Sequence, residues 1–126
     1  LIDLQAEAWD PLVTWSAQAL LAPLNVSYSL MPVVQPAESL VWLRRHVHAV
    51  SAFQLAALHD LVALSGSLVI GLAAAQNHLK IEKLWALSRV DESWQAEQWG
   101  DDETAIVEAS IKQDAFYCAH KFFYLC

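Results

Sequence analysis

Glycine is scarce in this chain of 126 residues: Gly66, Gly71 and Gly100 are its whole complement, and their spacing matches no nucleotide-binding fingerprint. Ser65-Gly66-Ser67 also lacks the glycine pattern of a nucleophile elbow and falls inside an apolar run that reads as helix, so neither serine is a candidate nucleophile. Basic residues are few as well, seven lysines and arginines against 14 acids, for a formal net charge of −7. A chain so charged neither neutralises a phosphate backbone nor is drawn to anionic lipid, which excludes nucleic acid as a partner and favours a basic or neutral protein surface.

Two cysteines, Cys118 and Cys126, cannot build a disulfide framework. On one helix they stand about two turns, roughly 12 Å, apart, too far for a bridge, and they read as free buried thiols in a reducing compartment. The histidines, His46, His48, His59, His78 and His120, include no pair four residues apart, so no helical metal site is expected. No cofactor, metal or small-molecule substrate is indicated. The longest apolar run, Leu61 to Ala75, is about 15 residues, short of the roughly 20 that span a bilayer. It reads as a buried central helix, with no membrane insertion.

Apolar residues, in contrast, are plentiful. The chain is 56% hydrophobic and 17% charged, against about 25% charged in an ordinary soluble domain, and its length fits one domain, residues 1–126. It opens on Leu1-Ile2-Asp3 with neither a methionine nor a signal peptide, which is expected of a sequence that begins inside a longer protein.

The expected class is all-α, an antiparallel bundle of about five helices with one short extended segment. Asp10-Pro11 reads as a helix start running to about Leu21, any helix in 1–8 being separate or kinked. Leu24 to Leu30 alternates apolar and polar, as a short strand would. Pro32 and Pro36 bracket a turn before a second helix, Pro36 to Ala49. Ser51-Ala52-Phe53-Gln54 matches a capping box and opens a long third helix, Ala52 to about Gln76, with Asn77 in the left-handed position that ends it. Ser67, Gly71 and Ala75 line a small-residue stripe along which another backbone could approach closely. A fourth helix, Lys80 to Gln98, should stop at Gly100. The fifth begins at Asp101 or Asp102, whose carboxylates with Glu103 suit a helix N-terminus, and continues close to Cys126.

On the fourth helix, Leu84, Leu87, Asp91 and Trp94 share one face at 100° per residue, continued by Gln95 and Gln98. Asp91 thus points where a core residue belongs, and an ionised carboxylate there requires a partner. Either an internal base such as His59 or an arginine pairs with it, or it lies in a groove and, alone or with Glu92, receives a basic or amide group from another protein. His59-Asp60 on the central helix reads as a buried pair satisfied by neighbouring helices. Trp94 reads as core, and Trp99 stays open between core and interface, where tryptophan is enriched.

The run Ala86-Leu87-Ser88-Arg89-Val90-Asp91-Glu92-Ser93-Trp94-Gln95-Ala96-Glu97-Gln98-Trp99-Gly100-Asp101-Asp102-Glu103 resembles the signature of the ATP synthase assembly chaperone family that handles the alpha subunit of the catalytic head. Leu64-Ser65-Gly66-Ser67-Leu68-Val69-Ile70-Gly71-Leu72-Ala73 resembles its central helix, and Met31-Pro32-Val33-Val34-Gln35-Pro36 the turn before it. The resemblance covers most of the chain from Trp9 onward. It implies the helical C-terminal domain of a larger α+β protein, with a β-rich domain upstream. It also implies a non-enzymatic chaperone that keeps the free alpha subunit soluble until it joins the beta subunit, in the mitochondrial matrix or an alphaproteobacterial cytoplasm. The candidate partner-binding residues are Asp91 and Glu92, by this likeness, with Trp94 and Trp99, in an acidic, aromatic groove on the third to fifth helices. One departure stands out: Ala115 to Tyr124 is more aromatic and less basic than the family's last helix. A generic helical interaction or oligomerisation module is the alternative, and an enzyme using Asp91 and His59 as an acid/base pair the third.

Overall fold

Pro11 lies inside a helix, not at the start of one. In the computed structural model, which describes residues 2–26, 34–100 and 102–125, helix α1 runs unbroken from Ile2 to Ala19. Proline takes a donor from the carbonyl four residues back. That residue, Glu7, is exposed, as is Pro11, so water can satisfy the carbonyl and the helix passes through. The described residues form seven helices and no strand. Contacts divide them into two units, Ile2–Val50 and Ser51–Cys126.

The first unit holds α1 and α2 (Ala37–His48), the latter within a residue of the expected bounds. The backbone leaving α1 turns at Leu21, a non-glycine residue at φ 56°, and side chains satisfy the turn. The buried Ser16 hydroxyl donates to the Ala22 carbonyl at 2.8 Å, the His46 ring Nε2 donates to the Leu20 carbonyl at 3.1 Å, and the buried Ser39 hydroxyl donates to the Pro23 carbonyl. Buried polar groups are tolerated only with such partners. The strand expected over Leu24 to Leu30 is not formed at residues 24–26, and residues 27–30 lie outside those described, as do Met31, Pro32 and Val33 of the turn. Asn25 is instead held by one side chain: its N–H donates to Gln35 Oε1 at 2.8 Å, and Gln35 Nε2 donates back to its carbonyl at 3.0 Å. A glutamine amide thus makes the two hydrogen bonds a strand neighbour would make.

The second unit opens with α3 (Ala52–Ser65). Its capping box is formed as the sequence predicts: Gln54 N–H donates to Ser51 Oγ at 3.1 Å, and Ser51 N–H donates to Gln54 Oε1 at 3.0 Å. The expected long helix to Gln76 is, however, two helices. Gly66 takes the left-handed conformation, φ 71°, and Ser67 is extended, its hydroxyl accepting from the Ile70 N–H at 3.2 Å to cap α4 (Leu68–Ala75). Glycine supplies the positive φ, and serine supplies the acceptor for an orphan donor. The end of α4 follows expectation. Asn77 has φ 54°, its N–H donates to Ala74 at 3.1 Å and the His78 N–H donates to Ala73 at 2.9 Å, a Schellman arrangement.

The fourth expected helix is also divided, into α5 (Ile81–Ser88) and α6 (Val90–Trp99). At the junction the Ser88 hydroxyl donates to the Trp85 carbonyl at 2.6 Å, the Arg89 N–H donates to Ala86 three residues back at 3.1 Å, and Arg89 leaves helical geometry at φ −108°, ψ 14°. Such side-chain bonds compete with the helical ladder. Gly100 follows α6 at φ 81°, and α7 runs Glu103–Leu125. Asp102 caps it, Oδ1 accepting from the Ala105 N–H at 2.6 Å; Asp101 lies outside the described residues.

The core of this unit gathers Ala57, Leu58 and Leu61 of α3, Ile70 to Ala74 of α4, Leu84 and Trp85 of α5, and Phe116, Ala119 and Phe123 of α7. Burial of each large side chain contributes about 1.5–3 kcal/mol. Five consecutive buried residues on α4 mean that it, and not α3, is the helix enclosed on all sides. At its centre, a Cβ on Gly71 would meet Val62 Cγ2 at 2.5 Å and the Val62 backbone N at 3.3 Å. The close approach expected of the small-residue stripe is therefore real there, and the approaching backbone belongs to α3.

Candidate partner-binding groove

Helix α6 buries none of its residues completely, which corrects the expectation that Asp91 faces the core. The wheel that aligned Asp91 with Leu84 assumed a continuous helix, and the departure at Arg89 breaks that register: Leu84 is fully buried, whereas Asp91 and Trp94 are only partly so. Nor are His59 and Asp60 buried partners. Their side chains are 78% and 63% exposed and meet each other at 3.3 Å. Cys118, expected to be buried, is an exposed free thiol, and Cys126 lies outside the described residues.

What α5, α6 and α7 do form is a groove of about 690 Å3. Trp85, only 7% exposed and with its ring 5.4 Å from that of Phe116 at a tilt of 42°, belongs to its base. One wall is α6, with Glu92, Ala96 and Trp99; the other is α7, with Ala105, Ile106 and Ala109; Gly100 and Asp102 close the end where the helices join. Arg89 crosses the base, its guanidinium 5.6 Å from the Trp85 ring and 3.8 Å from Glu92 Oε1. At the rim Trp99 is 83% exposed and Ile106 54%. Large apolar side chains so displayed, beside carboxylates, form the kind of surface that partners cover.

The four sequence candidates divide. Glu92 and Trp99, seven residues apart and so within about 20° on a helix, both line the groove, while Asp91 and Trp94 are not among its lining residues. The expected third helix contributes nothing to it. Sequence reasoning placed the groove on the fifth helix, which is α7, but named none of the α7 residues that line it, although Ile106 beside Asp102 and Glu103 repeated, on the next helix, the pairing of large apolar residues with acid that drew notice on α6.

Among the described residues no three histidine, cysteine or carboxylate side chains gather as a metal site would require, and no helix is long and apolar enough to cross a membrane. Away from the groove, His120 Nε2 is buried without a hydrogen-bond partner. Burial pushes the His120 pKa down, opposed by the charge of Glu82. Its ring stands edge-on to Tyr124 at 5.1 Å, and the Tyr124 hydroxyl donates to the Ala75 and Ala74 carbonyls at the end of α4.

No family model matches the chain, but solved structures do. Atp12 from Paracoccus denitrificans is similar over 98% of this chain, with 43% identity and a TM-score of 0.93, and a point mutant of that Atp12p over 96%, with 43% identity and a TM-score of 0.92. A chaperone candidate from Agrobacterium tumefaciens is similar over 98%, at 31% identity and a TM-score of 0.92. The chain spans about half the length of these structures, 53%, 52% and 46% of them respectively.

Proposed function

The chain belongs to the Atp12 family of ATP synthase assembly chaperones, and from that premise we propose that it binds the free alpha subunit of the catalytic head and prevents its aggregation before the beta subunit joins. The site is the groove of α5, α6 and α7. The observation that carries this reading is the pairing, on one open surface, of exposed Trp99 and Ile106 with Glu92 and Asp102. A free subunit exposes apolar interface that aggregates unless covered. Trp99 and Ile106 cover part of it, the carboxylates favour a basic rim around it, and the beta subunit displaces the chaperone once its own contacts are the more favourable. Binding and release require no bond to be made or broken, so the role is not enzymatic. Asp91 and Trp94, on the neighbouring face of α6, extend the contact surface beyond the groove. The place of action is the mitochondrial matrix or an alphaproteobacterial cytoplasm.

Two assays test the proposal together: capture of the isolated alpha subunit by the immobilised chain, and light scattering of the alpha subunit diluted from denaturant with and without it. Suppressed scattering and recovery of a complex that free beta subunit dissolves are the expected results. Unchanged scattering with no complex would remove the alpha subunit as client. A second reading, an oligomerisation module, is favoured by one feature: Val107, Ile111, Phe122 and Leu125 of α7 are exposed and recur at helical spacing along one side. Sedimentation decides it, since a chain that self-associates and fails to capture the alpha subunit is a module and not a chaperone.

A further inference from the structure

The groove's own composition narrows what can occupy it, and this inference rests on the reading of that groove as the client site. Residues 89–112, which supply α6, the junction and the first half of α7, hold seven carboxylates against Arg89 and Lys112, so five of the chain's seven net negative charges lie in this stretch, and two of those carboxylates, Glu92 and Asp102, line the groove itself. Arg89 is already engaged by Glu92 and by the Trp85 ring. Most of the wall side chains are small. Beside Trp99 and Ile106 the walls present Ala86, Ser93 and Ala96 with Glu92 and Gln95 on one side, and Ala105, Ala109 and Ser110 with Gln113 on the other. Small side chains facing each other across a cleft admit a whole helix, because the occupant's side chains then have room between the walls. A large apolar residue at the rim anchors such a helix, and the surrounding carboxylates select its flanks.

We infer that the groove receives an amphipathic helix whose apolar stripe carries a large side chain against Trp99 and Ile106 and whose flanks carry lysine or arginine. The client element recognised is thus a cationic amphipathic helix, and an acidic segment does not fit the same surface.

The whole chain and three synthetic probes of about 18 residues, long enough to fold on binding, test this. One combines leucine and lysine in helical spacing, the second replaces lysine by glutamate, and the third replaces leucine by glutamine and keeps the lysines. Fluorescence anisotropy of labelled peptide should show saturable binding of the first alone, weakened at least tenfold by Trp99→Ala or Ile106→Ser. Ile111→Ser, outside the groove lining, should leave it unchanged. Equal binding of the glutamate peptide would overturn the charge requirement. Equal binding of the glutamine–lysine peptide would overturn the apolar stripe, and loss of binding in Ile111→Ser but not in Trp99→Ala would overturn the location. Capture of the alpha subunit with no peptide selectivity would refute this inference and leave the chaperone reading standing; selective peptide binding without capture would do the reverse.

Discussion

Replacing Gly71 by alanine sets two effects of opposite sign against each other, and the structure says which prevails. In an isolated helix the change stabilises by about 1 kcal/mol, because alanine loses less backbone freedom than glycine. In α4 the new methyl would lie 2.5 Å from Val62 Cγ2, with the Val62 N and Cα at 3.3 and 3.4 Å behind it. Carbon atoms prefer about 3.5–4.0 Å. Val62 is β-branched and held near one rotamer on a helix, so it cannot swing clear, and the alternative is to push α4 away from α3. Overpacking of this kind costs about 1–3 kcal/mol. The net expectation is a loss of up to about 2 kcal/mol, which at about 4–8 °C per kcal/mol for a small domain lowers Tm by up to roughly 16 °C. Urea and thermal unfolding followed by circular dichroism measure it. The double variant Gly71→Ala with Val62→Ala removes Cγ2 and should be more stable than the sum of the two single changes, by at least about 0.5 kcal/mol. A Gly71→Ala protein that melts higher than the parent, or strict additivity in the cycle, would refute the close approach of α3 and α4.

Other outcomes follow from single groups. Ser67→Ala removes the acceptor of the Ile70 N–H and should destabilise by about 0.5–2 kcal/mol, with Ser67→Asp recovering most of it in the same melting assay. His120, whose pKa is lowered by burial, binds its proton more weakly folded than unfolded. The stability it contributes is therefore present above the unfolded value of 6.5 and declines as pH falls from there through the folded pKa. Urea midpoints between neutral and mildly acidic pH should fall more steeply for the parent than for His120→Gln, and parallel curves would contradict the burial. Asp91→Asn should leave the melting temperature within a few degrees, since Asp91 is not in the core, while weakening capture of the alpha subunit. A large loss of stability with undiminished capture by the folded fraction would assign Asp91 to structure.

Local punctuation was legible where one residue type settles a backbone need. Ser51 with Gln54, Asn77, Gly100 and Asp102 all do in the structure what their chemistry announces. The breaks at Gly66 and Arg89 were missed for different reasons. At Ser65-Gly66-Ser67 hydrophobic residues continue on both sides, so composition shows no interruption, and only the serine cap and the positive φ together reveal one. At Arg89 no residue forbids a helix. The interruption depends on the Ser88 hydroxyl taking the Trp85 carbonyl, a choice among rotamers that spacing does not encode. That second miss displaced the site, because every angle counted from Leu84 across Arg89 carried the error to Asp91 and Trp94. Glu92 and Trp99, which do line the groove, were not placed by any angle counted from Leu84. The residues of the α7 wall were illegible for a further reason: which side of α7 lies across from α6 is a matter of tertiary packing, and no periodicity within one helix records its neighbour.

Helix α7 is continuous over 23 residues, yet its buried residues, Phe116, Ala119 and Phe123, all lie in its second half, and its groove-lining residues, Ala105 to Gln113, in its first. It is built as a cantilever, clamped at one end and loaded at the other. Mutations along the projecting arm fall where most substitutions change stability by less than about 0.5 kcal/mol, so recognition can be retuned, by selection or by design, almost independently of whether the chain folds.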